Sequence, residues 1–217
     1  MKIFVLVAAV IITWMCWAGS PVSMAADGRD VSSVNKSVSA AAGESYGTLS
    51  TVNGDVRVAR GVTADEAKTV NGSIHVEEDA RLGEVHTVNG SLDIAEGVSI
   101  EREARTVNGD VELRRRSRVG GAVGTVNGDI ELEGAEVGGQ LTTNNGDIDL
   151  KDGARVLGGI HVKKSKNWGW KKSDPIEVNI CATCVVEGDL RFERPVKLRV
   201  EQGARIGNVI GDEVTRL

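Results

Sequence analysis

Apolar residues in this chain come in pairs with one polar residue between them, and the pairs return at a nearly fixed spacing. They are Val56/Val58, Ile74/Val76, Leu92/Ile94, Val111/Leu113, Ile130/Leu132 and Ile148/Leu150, enclosing Arg57, His75, Asp93, Glu112, Glu131 and Asp149. Alternation with a period of two marks a short strand with one face buried and the other wet. Further apolar positions fall near the middle of each unit, at Val62, Leu82, Ile100, Val119, Val137 and Val156, and again before the next unit, at Ala67, Val85, Val123 and Leu141. Each unit therefore reads as two or three short strands joined by tight turns. No stretch has the length and pattern of a helix.

The units are punctuated by one word. Thr-Val-Asn-Gly begins at Thr51, Thr69, Thr87, Thr106 and Thr125, with Thr-Asn-Asn-Gly at Thr143, so the steps are 18 or 19 residues. A short fixed period means one unit stacked on copies of itself, stabilised by neighbour-to-neighbour burial. A degenerate copy, Ser33 to Val38, precedes Thr51 by 18 residues, and Gly153-Ala154-Arg155-Val156 and Gly203-Ala204-Arg205-Ile206 continue the cadence towards the other end. Asn-Gly is also a strong hairpin signal. The arms around it do not match, however, since about two residues before it read as strand and four after it. The pattern predicts an all-β chain: a single-stranded, right-handed parallel β-helix, or β-solenoid, with coils of 18–19 residues. We expect roughly eight or nine coils in a rod about 40 Å long.

Stacking places equivalent residues about 4.8 Å apart. Asn35, Asn53, Asn71, Asn89, Asn108, Asn127 and Asn145 then form one file whose side chains can bond each to the next, as in cross-β ladders. A structural ladder explains this row better than a ligand-binding one. Gly54, Gly72, Gly90, Gly109, Gly128 and Gly146 are expected to supply positive φ at the corner. Asp55, Asp110, Asp129 and Asp147 follow the glycines, but Ser37, Ser73 and Ser91 hold the same place in other copies. A hydroxyl cannot replace carboxylate charge at a calcium ion. These positions are assigned to turn hydrogen bonding, and no metal site is expected.

Composition narrows the setting. Met1-Lys2, the apolar run Ile3 to Ile12 and the small residues around Ser23-Met24-Ala25 read as a secretory signal cleaved after Ala25. The apolar run is too short to span about 30 Å of hydrocarbon, and no transmembrane segment is expected in the mature chain. Cys16 follows Trp14-Met15 rather than small residues, so it is expected to leave with the signal and not to carry lipid. The chain has 26 basic and 31 acidic residues, a net charge of −5, which argues against general nucleic-acid binding. Past the signal the only aromatic rings are Tyr46, Trp168, Trp170 and Phe192, which suits a narrow aliphatic coil.

Three places carry candidate chemistry. Cys181-Ala182-Thr183-Cys184 is the only cysteine pair after the signal; in an exported chain a small-loop disulfide is the first reading. Redox catalysis calls for a helix start beside the thiol, and zinc calls for more ligands than the scattered His75, His86 and His161 provide. Those histidines also lack a nucleophile partner for hydrolysis. Lys163 to Lys172 is an insertion in which Lys164, Lys166 and Lys171 stand around Trp168 and Trp170. It reads either as a surface loop covering the coil or as a glycan-binding platform for envelope polysaccharide. Arg114-Arg115-Arg116-Ser117-Arg118 faces acidic neighbours in the stack, and charge pairing between rungs accounts for it.

The Thr-Val-Asn-Gly-Asp-Val/Ile-x-Leu/Val unit resembles the repeats of exported bacterial adhesin-type proteins, and the Gly-Ala-Arg-Val/Ile cadence with Gly188-Asp189-Leu190 is similar to the polymer-forming bactofilins. The likeness covers nearly all of residues 33–217 and supplies no catalytic residues or cofactor. Bactofilins are typically without a cleaved signal, so Met1 to Ala25 is a departure from that pattern. The organisation expected is a signal peptide, 1–25, and one β-solenoid domain, 26–217. The domain divides into regular repeats (33–162), the Lys/Trp insertion (163–175), and divergent C-terminal coils with a cap (176–217). The expected role is a non-enzymatic, periplasmic or cell-surface structural or adhesin-like solenoid whose partner is a second copy of itself. The alternatives are an envelope glycan-binding protein and, third, a carbohydrate-active enzyme using clustered carboxylates.

Overall fold

The computed structural model describes residues 28–164 and 174–217. The apolar pairs form one face of a coil. Val38–Ala40, Val56–Val58, Ile74–Val76, Leu92–Ile94, Val111–Leu113, Ile130–Glu133, Ile148–Lys151, Ile176–Ile180, Val196–Val200 and Val214–Arg216 lie side by side, all parallel, as a ten-stranded sheet. Both apolar members of each of the six pairs are buried, and the residue between them is turned outward. The chain is a parallel β-solenoid of about ten turns, with no helix among the described residues. That exceeds the eight or nine coils expected, because strands at both ends, Arg29–Ser32 and Val214–Arg216, join the stack although the repeat word is missing there.

The opposite side is a sixteen-stranded sheet that forks. Its early members are continuous: Ser45–Asn53, Thr63–Asn71 and Arg81–His86. After Arg81–His86 it divides, with Leu82 pairing to Ile100 and Val85 pairing to Ala104. Two residues separate Leu82 from Val85, whereas three separate Ile100 from Ala104. One added residue cannot pair with the rung before it, so the strand breaks at a bend and the coil gains a third side. Later coils keep the corner, as in Arg118–Val119 with Val123–Gly124 and Glu136–Val137 with Leu141–Thr143.

The pairing register also corrects one sequence assignment. Thr63 pairs with Arg81, so Val62 stacks on Ala80 and Ala64 stacks on Leu82. Val62 thus belongs to a corner file with Ala80, Val98, Ser117, Ala135, Ala154 and Cys184, all buried. Small residues suit this file because a tight turn closes there in several coils, with Val62 N–H bonded to the Ala59 carbonyl and Ala154 N–H to that of Lys151. Between the sheets the core is aliphatic, and its rings sit near the ends: Tyr46 in an early coil and Phe192 in a late one. The Tyr46 hydroxyl is satisfied there, accepting from the Ala41 N–H at 2.9 Å and donating to Glu44 at 2.8 Å.

Five of the six repeat glycines have the expected positive φ, at 149–158°, and Gly72 is the exception. Proximity is a second demand on them: a Cβ built on Gly90 would overlap the carbonyl oxygen of Gly72. Gly61, in the tight corner, meets only the first demand, with φ of 67° and open space around it. Gly90→Ala should therefore force backbone apart and cost about 3 kcal/mol or more, whereas Gly61→Ala should cost only about 1 kcal/mol for its left-handed φ. Urea unfolding of both variants checks the order, and equal losses would contradict the crowding argument.

Candidate functional surfaces

The Thr-Val-Asn-Gly corner spends its polar groups on the coil before or after it. Each threonine points inward and donates its Oγ1 to a carbonyl of the preceding coil: Thr51 to Lys36, Thr69 to Gly54, Thr87 to Gly72, Thr106 to Gly90 and Thr125 to Gly109, at 2.8–2.9 Å. Thr143, fully buried, breaks the series, since its Oγ1 has no partner among the described residues. Each asparagine donates Nδ2 to Oδ1 of the asparagine before it. The bonds run from Asn145 through Asn127, Asn108, Asn89, Asn71 and Asn53 to Asn35, at 2.8–2.9 Å. A row whose amides are consumed in this way has little left for a ligand.

A third file lies one residue beyond the glycine. Ser37 accepts the N–H of Asp55, Asp55 that of Ser73, Ser73 that of Ser91, and Ser91 that of Asp110. Asp110, Asp129 and Asp147 continue it to the N–H groups of Asp129, Asp147 and Glu177. These bonds join coils rather than closing a turn within one, which corrects the sequence assignment. They also explain why serine and aspartate interchange: the site needs an acceptor oxygen, and either side chain supplies one.

The outward positions between the apolar pairs stack carboxylates. Asp93, Glu112, Glu131 and Asp149 are consecutive in register, an arrangement that repels unless neutralised. Each has a partner from a neighbouring position: His75 at 3.5 Å from Asp93, Arg114 at 2.6 Å from Glu112, Lys151 at 2.7 Å from Glu131, and Asn179 donating to Asp149 at 2.7 Å. The arginine cluster has the same job. Arg115 pairs with Glu133 at 2.9 Å and with Asp152, Arg116 with Glu96 at 3.1 Å, and Arg118 with Glu136 at 3.4 Å. Such exposed pairs are screened by water and add little to stability. Their main effect is to let like stack on like.

Cys181 and Cys184 are joined, with 5.1 Å between their Cα atoms. They occupy the first and last places of the tight corner, in register with Lys151 to Ala154, and Cys184 is buried in the small-residue file. Most other coils make this turn with a positive-φ residue such as Gly61, Gly97 or Gly153; here Ala182-Thr183 has none. The histidines are not brought together. His86 lies 3.6 Å from Glu103, and His161 lies 2.8 Å from Glu193. Among the described residues no group of three potential metal ligands forms.

Trp168, Trp170, Lys166 and Lys171 lie outside the described residues. Lys164 is described, and its N–H bonds to Glu193 at 3.2 Å. That bond, with the one from His161, holds the Glu193 carboxyl below its ordinary pKa. Nearby, Gln140, Gly158, His161, Asp189 and Arg191 line a shallow, open, polar depression of about 390 Å³.

Sequence reading missed one residue at this end. Arg194, only 7% exposed, reaches back to the Asn144 carbonyl and Asn145 Oδ1, both at 2.7 Å, and to the Asp174 carbonyl at 3.1 Å. It closes the asparagine row where the following coil brings Pro175 opposite Asn145. Burial pulls its pKa below the ordinary arginine value.

Residues 45–157, just over half of the chain, match the Toastrack DUF4097 family. The chain belongs to that family. In this Toastrack domain the match covers the regular coils and stops before the insertion. No curated protein and no solved structure matches the chain.

Asp147 gives a pH test of the acceptor file. Burial raises its pKa, with Asp129, Glu177 and Asp149 adding to the effect against the Glu177 N–H bond. A carboxyl with a raised folded pKa binds protons more tightly when folded, so its charge costs stability at neutral pH. The cost fades as pH falls through that raised value. Asp147→Asn keeps the acceptor oxygen and removes the charge. It should raise Tm by about 1–2 °C at pH 7, with the gap closing in acid, as followed by thermal melts across pH. A lower Tm at neutral pH would mean the charge itself is needed.

Proposed function

We propose that this protein is a non-enzymatic, exported β-solenoid that serves as a structural, adhesin-like element of the cell envelope and assembles end to end through its coil ends. The observation carrying this reading is that neither end of the stack is closed by a strand partner among the described residues. Arg29–Ser32 and Val38–Ala40 are the outer strands at one end, with Arg205–Ile206, Val209–Ile210 and Val214–Arg216 at the other. An open parallel edge presents a row of unpaired backbone donors and acceptors that another strand can satisfy. Three of the four exposed large apolar residues among those described lie towards these ends, Val34 at one and Ile210 and Leu217 at the other, with Val126 on a middle coil. Contact of one end with the opposite end of a second copy is a heterologous arrangement, which propagates rather than closing on itself.

Support for export is the signal-like Met1 to Ala25 and the bridged Cys181–Cys184, which suits an oxidising compartment. Support for a structural role is the Toastrack match together with a repeat corner whose polar side chains are spent between coils. The likeness to adhesin-type repeats and to polymer-forming bactofilins points the same way. Light scattering of freshly purified residues 26–217 across a concentration series, with negative-stain microscopy, should give rising mass and thin rods. A monomer at every concentration would remove end-to-end assembly.

A second reading, binding of envelope glycan, is favoured by the polar depression of His161, Arg191, Asp189 and Gln140 beside the start of the Lys/Trp insertion. Trp168→Ala with Trp170→Ala should then abolish retention on cell-wall or lipopolysaccharide material while circular dichroism stays unchanged. Full retention would dispose of this reading.

A further inference from the structure

Six Asn-Gly dipeptides stand in one row, and five are held alike. The N–H groups of Gly54, Gly72, Gly90, Gly109 and Gly128 each donate to the asparagine carbonyl of the next coil at 2.9 Å. In each of these five the asparagine Oδ1 accepts from a neutral carboxamide. Asn145-Gly146 differs on both counts. Among the described residues the Gly146 N–H makes no such bond, and the asparagine row ends at this coil. Its Oδ1 accepts from the buried Arg194 guanidinium at 2.7 Å.

Both differences act on one reaction. An Asn-Gly peptide rearranges when the glycine nitrogen attacks the asparagine Cγ. A nitrogen whose N–H is fixed toward the next coil must first break that bond, and a carbonyl that accepts from a cation is the more electrophilic and carries developing negative charge more readily. We propose that Asn145-Gly146 is a self-modifying site, at which the folded coil deamidates selectively while its five copies are protected.

The Gly146 nitrogen gives up its proton to solvent base and bonds to Cγ. The Cγ–Nδ2 bond breaks, and Nδ2 leaves as ammonia after taking a proton from water. The succinimide so formed is opened by water, at Cγ to give aspartate or at the Asn145 backbone carbonyl to give isoaspartate. One water is consumed and one ammonia released. The aspartate product places a carboxylate on Arg194 and loses the donor that Asn145 gave to Asn127. The neighbouring coils then gain an ion pair and give up the last bond of the amide row.

Peptide mapping by mass spectrometry of residues 26–217, aged at mildly alkaline pH with and without urea, tests the proposal. In the folded chain the mass gain from exchanging an amide for an acid should accumulate at Asn145 roughly tenfold faster than at Asn53, Asn71, Asn89, Asn108 or Asn127. In urea all six should convert at similar rates. Equal rates in the folded chain, or another site leading, would overturn it. Arg194→Gln separates the two causes, with the other five sites reporting on the fold: if they stay protected while Asn145 slows several-fold, the guanidinium assists the attack. If they stay protected and Asn145 does not slow, the assistance by Arg194 is refuted.

Discussion

In a parallel stack each residue meets its own counterpart one rung away, at about 4.8 Å, and that self-encounter governs which side chains the coil can use. Asparagine passes because its amide is at once donor and acceptor. Serine and aspartate pass in the file beyond the glycine because the partner there is a backbone N–H, not the same side chain. Glycine passes where backbones crowd, as at Gly90. Carboxylates do not pass unaided, and the run Asp93, Glu112, Glu131, Asp149 stands only beside His75, Arg114, Lys151 and Asn179. The acidic excess of the chain and its many arginines are thus two sides of one requirement.

That same requirement decides what was legible in the sequence. The apolar pairs and the asparagine row could be read because like residues recur at like spacing, and recurrence is what stacking selects. The step from 18 to 19 residues was visible too, but a count does not reveal where the added residue goes. Its place between Ile100 and Ala104, which turns one long strand into two, is set by pairing with Leu82 and Val85. Assigning Val62 to the wrong file has a related cause, since Val62 and Ala64 are both small apolar residues and only register tells them apart.

Arg194 was illegible for the opposite reason: it repeats nowhere. Its partners Asn144 and Asn145 lie 50 and 49 residues earlier, across the insertion, and periodicity carries no information about a contact made once. Contacts made only once gather where the repeat lapses. The family match ends at residue 157, and the insertion, the bridged corner at Cys181–Cys184 and Arg194 all follow. The regular coils turn their polar chemistry on one another, and the departures from regularity are where this chain differs from a plain stack.

The amide row also has a direction. Each Nδ2 points toward the preceding coil, so the side-chain dipoles from Asn145 to Asn35 line up head to tail. Aligned amides sum as they do along a helix, leaving partial positive charge at the Asn35 end and partial negative charge at the Asn145 end. Arg194 is a cation seated at the negative terminus. Rods joined head to tail would add these fields in the same sense, giving a filament that is electrically polar along its length and whose two tips offer incoming subunits different potentials.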